Sequence, residues 1–279
     1  MPRFFAFLVV VGLVGQIPAQ TKPDSFEVEK HLNLVYNSAK DADPVKHKLD
    51  LYIPKGAKDF PVLMFVHGGT WKSGSKDLYP ALGETFAKKG IGTAIINYRL
   101  SSSKGTVKHP DHIHDVAQAF AWVKENAGKY DGDTKKLFVS GHSAGGHLVA
   151  LLATDESYLK AEKCSIADIR GVMALSGVYT IDATVPVFHL AFSKEEGVCK
   201  AASPISHVKE KHPPFLIAYG NKDLPSLDQM AEEMNKKLNE CKCESKTLKL
   251  ERDHISIVVK LAADAEDPLG KAMVEFIKK

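Results

Sequence analysis

Gly141-His142-Ser143-Ala144-Gly145 sets a serine between two glycines in the pattern G-x-S-x-G. Before it, Leu137-Phe138-Val139 has the length and type of a buried strand; after it, an Ala-rich apolar run reads as a buried helix. A strand that turns so abruptly into a helix forces its central residue into strained backbone angles. Glycines two before and two after relieve the clash, because they carry no Cβ. This is the pattern of a nucleophile elbow, which lifts the Ser143 hydroxyl out of the turn and aims a helix N-terminus at the reaction.

A serine hydroxyl is a poor nucleophile near neutral pH. It needs a base within hydrogen-bond reach, and the base needs a carboxylate to orient it. After an elbow, acid and histidine follow in that order, each on a loop at the carboxyl end of a strand. Asp223 stands just past the apolar run Phe215 to Tyr219, and His254 just past a strand ending near Leu250. With twelve histidines in the chain, rivals must be weighed. His142 and His147 flank Ser143 too closely to reach it as bases. His109, His112 and His114 open an amphipathic helix without a matching carboxylate pattern, which favours surface or capping roles over a metal site. Asp253 adjoins His254 and is badly placed to orient it, while Asp264 is a minor rival to Asp223.

Attack at a carbonyl places charge on its oxygen, and backbone N–H groups must already point there. Ala144, at the start of the elbow helix, offers one donor. The loop His67-Gly68-Gly69-Thr70-Trp71 follows an early strand, and its glycines let the backbone approach a ligand closely. Gly69 and Thr70 are the expected donors within it.

A scaffold that brings these residues together is legible in the pattern. His31 to Tyr36 and Lys48 to Ile53 alternate apolar and polar residues about an Asp41-Ala42-Asp43-Pro44 turn, which predicts an antiparallel edge hairpin. Buried strands are expected at 61–66, 92–97 and 137–139, and further strands at 172–175, 215–219 and 246–250. Helices are expected at 78–89, 111–127, after Ser143, around Leu227 to Leu238, and at the C-terminus behind an Asp267-Pro268 cap. Alternating strands and helices imply an α/β fold, a mostly parallel sheet with helices on both faces. The segment 178–214 is long and apolar, and reads equally as a short lid over the site or as a crossover helix.

The segments LDLYIP (50–55), HGGTW (67–71), NYRL (97–100), GHSAGGH (141–147), YGNKD (219–223) and DHISIV (253–258) together resemble the α/β-hydrolase superfamily. The similarity lies with its branch of hormone-sensitive-lipase-like esterases, bacterial feruloyl-esterase-like proteins and kynurenine formamidases. The resemblance implies Ser143 as nucleophile, Asp223 as acid and His254 as base. It also implies an oxyanion hole of Gly68, Gly69, Thr70 and Ala144, with Trp71 and His142 at the substrate. Thr70 replaces the third glycine usual in the lipase-like branch, and the short stretch before LDLYIP leads to the expectation of no large amino-terminal cap such as some members carry.

Arg3 and the uncharged apolar run Phe4 to Val14, then Ile17-Pro18-Ala19, read as a secretory signal peptide over residues 1–19, too short to span a bilayer. Residues 20–279 then form one domain. The 37 Lys and Arg against 34 Asp and Glu give a net charge of +3, which argues against a nucleic-acid surface. Cys164, Cys199, Cys241 and Cys243 would meet an oxidising compartment after export; disulfides or buried thiols are expected, with Cys241 or Cys243 in at least one disulfide. The sequence thus predicts a secreted or periplasmic serine esterase acting on a small-molecule ester without cofactor or metal, its oligomeric state left open. An amidase, formamidase or peptidase with the same residues, and a non-catalytic binding protein on the same fold, are the alternatives.

Overall fold

The computed structural model describes residues 25–263 and 266–279. The expected signal peptide and the rival acid Asp264 lie outside the described residues. Eight strands form one sheet: β1 Val28–Val35, β2 Lys48–Pro54, β3 Phe60–Val66, β4 Gly92–Ile96, β5 Gly132–His142, β6 Ile169–Leu175, β7 Phe215–Lys222 and β8 Ser245–Asp253. Their spatial order is β1-β2-β4-β3-β5-β6-β7-β8. β1 and β2 are antiparallel to their neighbours, and β4 through β8 run parallel. The edge hairpin and mostly parallel sheet read from the sequence are therefore present.

The helices are α1 Pro80–Lys88, α2 Asp111–Asn126, α3 Ala144–Thr154, α4 Glu156–Ala161, α5 His189–Phe192, α6 Glu196–Ala201, α7 Leu227–Glu240, α8 Ser256–Ala263 and α9 Pro268–Lys278. Strand periodicity sorts the core into two layers. Along β3, Val62, Met64 and Val66 face the layer of α2, α3 and α7, while Leu63 and Phe65 face that of α1, α8 and α9. Both faces are thus covered, which is why the inner strands read as unbroken apolar runs rather than alternating ones. Asp267 caps α9 as its spacing predicts, accepting from the amides of Leu269 and Gly270.

Two expectations change. The crossover-helix reading of 178–214 does not hold, since its α-helices, α5 and α6, have only four and six residues. Nor does the expected disulfide form: all four cysteines are free. The Cys243 thiol is buried and turns to the Lys209 carbonyl at 3.3 Å, while Cys164 and Cys199 are buried in their own surroundings. Among the described residues, no helix is long and apolar enough to cross a membrane.

Candidate active site

Ser143 occupies the turn between β5 and α3 with φ 55° and ψ −118°, a conformation that L-residues rarely adopt. Its amide donates to the Leu175 carbonyl at 2.8 Å, so neighbouring β6 pins the strained turn. Gly145 is required by packing: a Cβ there would lie 2.0 Å from the Val66 carbonyl oxygen. α3 is buried along its whole length, which anchors the elbow in the core. The serine itself reaches a cavity of about 460 Å³.

Asp223 and His254 come from the ends of β7 and β8. His254 Nδ1 lies 2.6 Å from Asp223 Oδ1, and a carboxylate acceptor assigns the proton to Nδ1. Nε2 is then the ring's acceptor. Burial opposes charge on Asp223, but hydrogen bonds from His254, Ser176, Gly220 and Leu224 outweigh it and bring the carboxyl down to about 2. The Ser176 hydroxyl donates to Asp223 Oδ2 at 2.5 Å. Ser176 belongs to no motif in the sequence. Its only signal was position, one residue past β6 in the row of strand ends where the other site residues stand.

The loop after β3 is bent sharply. Gly69, Thr70 and Trp71 have φ values of 120°, 51° and 58°. A Cβ on Gly69 would lie 2.2 Å from the Ser73 carbonyl oxygen, so glycine is obligatory there. The Gly69 carbonyl accepts from the amides of Lys72 and Ser73. Among the described residues, the amides of Gly69, Thr70 and Ala144 have no acceptor. Gly68 differs, because its backbone interacts with the Tyr79 hydroxyl. His67, also unanticipated, supports the loop from below. Its Nδ1 meets the Gly68 carbonyl at 2.8 Å and its ring stacks on Tyr98 at 4.5 Å.

His142 does not line the cavity. It is 4% exposed, and its Nε2 lies 2.8 Å from the His254 carbonyl, which only an N–H can satisfy. Burial, with the nearby His254, lowers it to about 4 and keeps the ring neutral. Trp71 does line the cavity. Its Nε1 donates to His147 Nδ1 at 3.3 Å, and the other nitrogen of His147 meets the Ala202 carbonyl at 2.7 Å. One buried neutral imidazole thus joins the loop after β3 to the segment between β6 and β7. That segment supplies Val178, Thr180, Asp182, Val185, Val187 and Phe188 to the cavity wall, and Leu224 to Glu233 supply much of the rest.

His109, His112 and His114 do not gather around a vacant centre. His112 is buried against the Ser101 hydroxyl at 2.9 Å, and His109 and His114 lie beside the Tyr158 ring. Among the described residues, no group of three or more His, Cys, Asp or Glu could hold a metal ion.

A serine at a strained strand–helix turn, with acid and histidine on later strand ends of a mostly parallel sheet, defines an α/β-hydrolase. The BD-FAE family model matches residues 49–238, and the chain belongs to that family. It is 36% identical to the probable isoprenylcysteine alpha-carbonyl methylesterase ICME of Oryza sativa subsp. japonica, over 53% of this chain and 36% of that protein. It is 34% identical to esterase LipC of Mycobacterium tuberculosis (strain ATCC 25618 / H37Rv), over 60% of this chain and 45% of the relative. The chain thus spans less than half the length of either relative. A truncated form of a carbohydrate esterase from gut microbiota shares the fold, with a TM-score of 0.76 at 22% identity over 94% of this chain and 98% of the other.

Proposed function

We propose that this chain hydrolyses carboxylic esters through a covalent acyl-enzyme on Ser143. The observation that carries the reading is the 2.6 Å contact of His254 Nδ1 with Asp223 Oδ1, with the His254 carbonyl 2.8 Å from His142 Nε2, next to the strained Ser143 turn. His254 Nε2 takes the proton from Ser143 Oγ as that oxygen bonds to the ester carbonyl carbon. Charge on the carbonyl oxygen is met by the amides of Gly69, Thr70 and Ala144. Collapse breaks the bond to the alcohol, which leaves with the proton from His254. Water then repeats the sequence on the acyl-enzyme, releasing the acid and restoring Ser143. Asp223 holds the imidazole tautomer and offsets the imidazolium charge formed in both halves.

The names carried by the relatives support this class, since methylesterase, esterase and carbohydrate esterase share one bond, the carboxylic ester. They differ in the alcohol, so the bond type is what transfers. Export belongs to the same proposal, on the strength of Arg3 and the apolar run Phe4 to Val14. An extracellular or periplasmic protein whose first residue lies near Gln20 would support export, and an intact Met1 would oppose it.

The test is stoichiometric labelling by a fluorophosphonate together with hydrolysis of short 4-nitrophenyl esters. Both should vanish in Ser143→Ala while the circular dichroism spectrum stays unchanged. Labelling that persists on another serine refutes the assignment.

A further inference from the structure

The cavity beside Ser143 has walls of unequal character. Val178, Val185, Val187, Phe188, Leu224 and Met230 make it largely apolar. Two carboxylates, Asp182 and Glu233, also line it, while no Lys or Arg among the described residues does. They come from separate elements, the segment after β6 and helix α7. Each is held in place by a neighbour. Asp182 Oδ1 accepts from both the amide and the hydroxyl of Thr184 at 2.7 Å, and Gln229 Nε2 donates to Glu233 at 2.8 Å. The Thr184 hydroxyl and amide hold the Asp182 carboxyl below its ordinary range, so its charge persists into mild acid.

The start of α7 could in principle offset this charge, because a helix N-terminus favours anions. Asp228 in its first turn occupies that position and accepts from the Gln229 amide at 2.9 Å. The helix end therefore adds no open anion site to the cavity.

We propose that this cavity selects ester substrates by charge, admitting apolar groups that are neutral or cationic and turning away groups that carry a carboxylate, through Asp182 and Glu233. The proposal rests on the esterase reading for its kinetic consequence but not for its binding consequence. Both carboxylates belong to the wall of a cavity of about 460 Å³ and are themselves exposed, so their field on an occupant is screened over a Debye length of about 10 Å at 0.1 M salt and is strongest at low salt. Each charge should then shift affinity for a charged group by roughly two- to fivefold, and the pair by about tenfold at low salt.

Binding is measured first, through Trp fluorescence, because Trp71 lines the cavity. The ligands are pentyltrimethylammonium and hexanoate, matched in chain length and opposite in charge. The wild type should prefer the cation by about tenfold at low salt. Asp182→Asn with Glu233→Gln keeps the hydrogen-bonding atoms at both positions and should erase that preference. Added salt should shrink it in the wild type. Kinetics follow with 4-nitrophenyl pentanoate and 4-nitrophenyl hemisuccinate. The double variant should raise the ratio of kcat/KM for the anionic over the neutral ester by about tenfold. Equal binding of the two ions by the wild type, or an unchanged preference in the double variant, overturns charge selection. Failure to hydrolyse either ester would count against the esterase reading alone, since the binding comparison needs no turnover.

Discussion

His142 Nε2 donates to the backbone carbonyl of His254 at 2.8 Å, and the two rings lie 4.7 Å apart between centroids. The residue beside the proposed nucleophile therefore fixes the residue proposed as its base. Asp223 sets the direction of the His254 ring, and His142 sets where its backbone stands.

That link can be tested without touching substrate. Removing the donor in His142→Phe should lower kcat by roughly ten- to a hundredfold with little change in KM, the cost of a misplaced catalytic group. His142→Gln keeps an N–H at similar reach and should recover most of the loss. An equal fall in both variants would mean that ring packing matters and the hydrogen bond does not.

Asp223 is held by more than His254, and the supports should rank. Asp223→Asn leaves the wrong tautomer favoured and should cost about 10⁴ in kcat. Ser176→Ala deletes one charge-assisted hydrogen bond, and a loss of roughly tenfold is expected. Asp264→Asn should be near neutral. Steady-state rates on one ester decide the order, and a larger loss at Asp264 would move the acid there.

The positive φ of Thr70 determines how the donor loop can be probed. Proline, which requires φ near −65°, cannot replace a residue at 51° without rebuilding the loop. Thr70→Val retains the backbone donor and the branched shape while removing the hydroxyl. It should keep most of the activity. A fall of about 10²–10³ in kcat would show that the hydroxyl, rather than the amide, meets the developing charge.

Burial brings His67, His109, His112 and His142 down to about 4, and His147 to about 3, from an ordinary 6.5. Between those values the unfolded chain binds protons that the folded chain refuses. Stability from these rings is therefore complete above about pH 6.5 and is lost as the pH falls toward 4. Urea midpoints should drop steadily from pH 7 to pH 4.5. A flat profile over that range would contradict the buried, neutral assignment.

The strand–helix alternation, the Asp267 N-cap of the last helix and the order Ser143, Asp223, His254 were legible because each rests on local chemistry: periodicity, a cap, a turn that only glycine permits. Helix α8 was not, since Ile255 to Ala263 is a short apolar run that suits strand or helix equally. Ser176 and His67 escaped notice because their partners, Asp223 and Tyr98, are distant in sequence. His142 was expected at the substrate only through the family resemblance. On a strand, however, neighbouring side chains point to opposite faces, and at the end of β5 its own points under the site. The free cysteines were misread for a similar reason: spacing cannot report how far apart thiols lie in space.

The wall formed by 178–188 hangs between β6 and β7, whereas Ser143, Asp223 and His254 stand on strand ends tied into the sheet. Replacements in that wall leave the strand ends and their hydrogen bonds in place. Under the proposed esterase function, substrate choice and bond cleavage thus rest on separate stretches of the chain. Changes in that short stretch between two strands then alter which ester fits while leaving the proposed triad as it is.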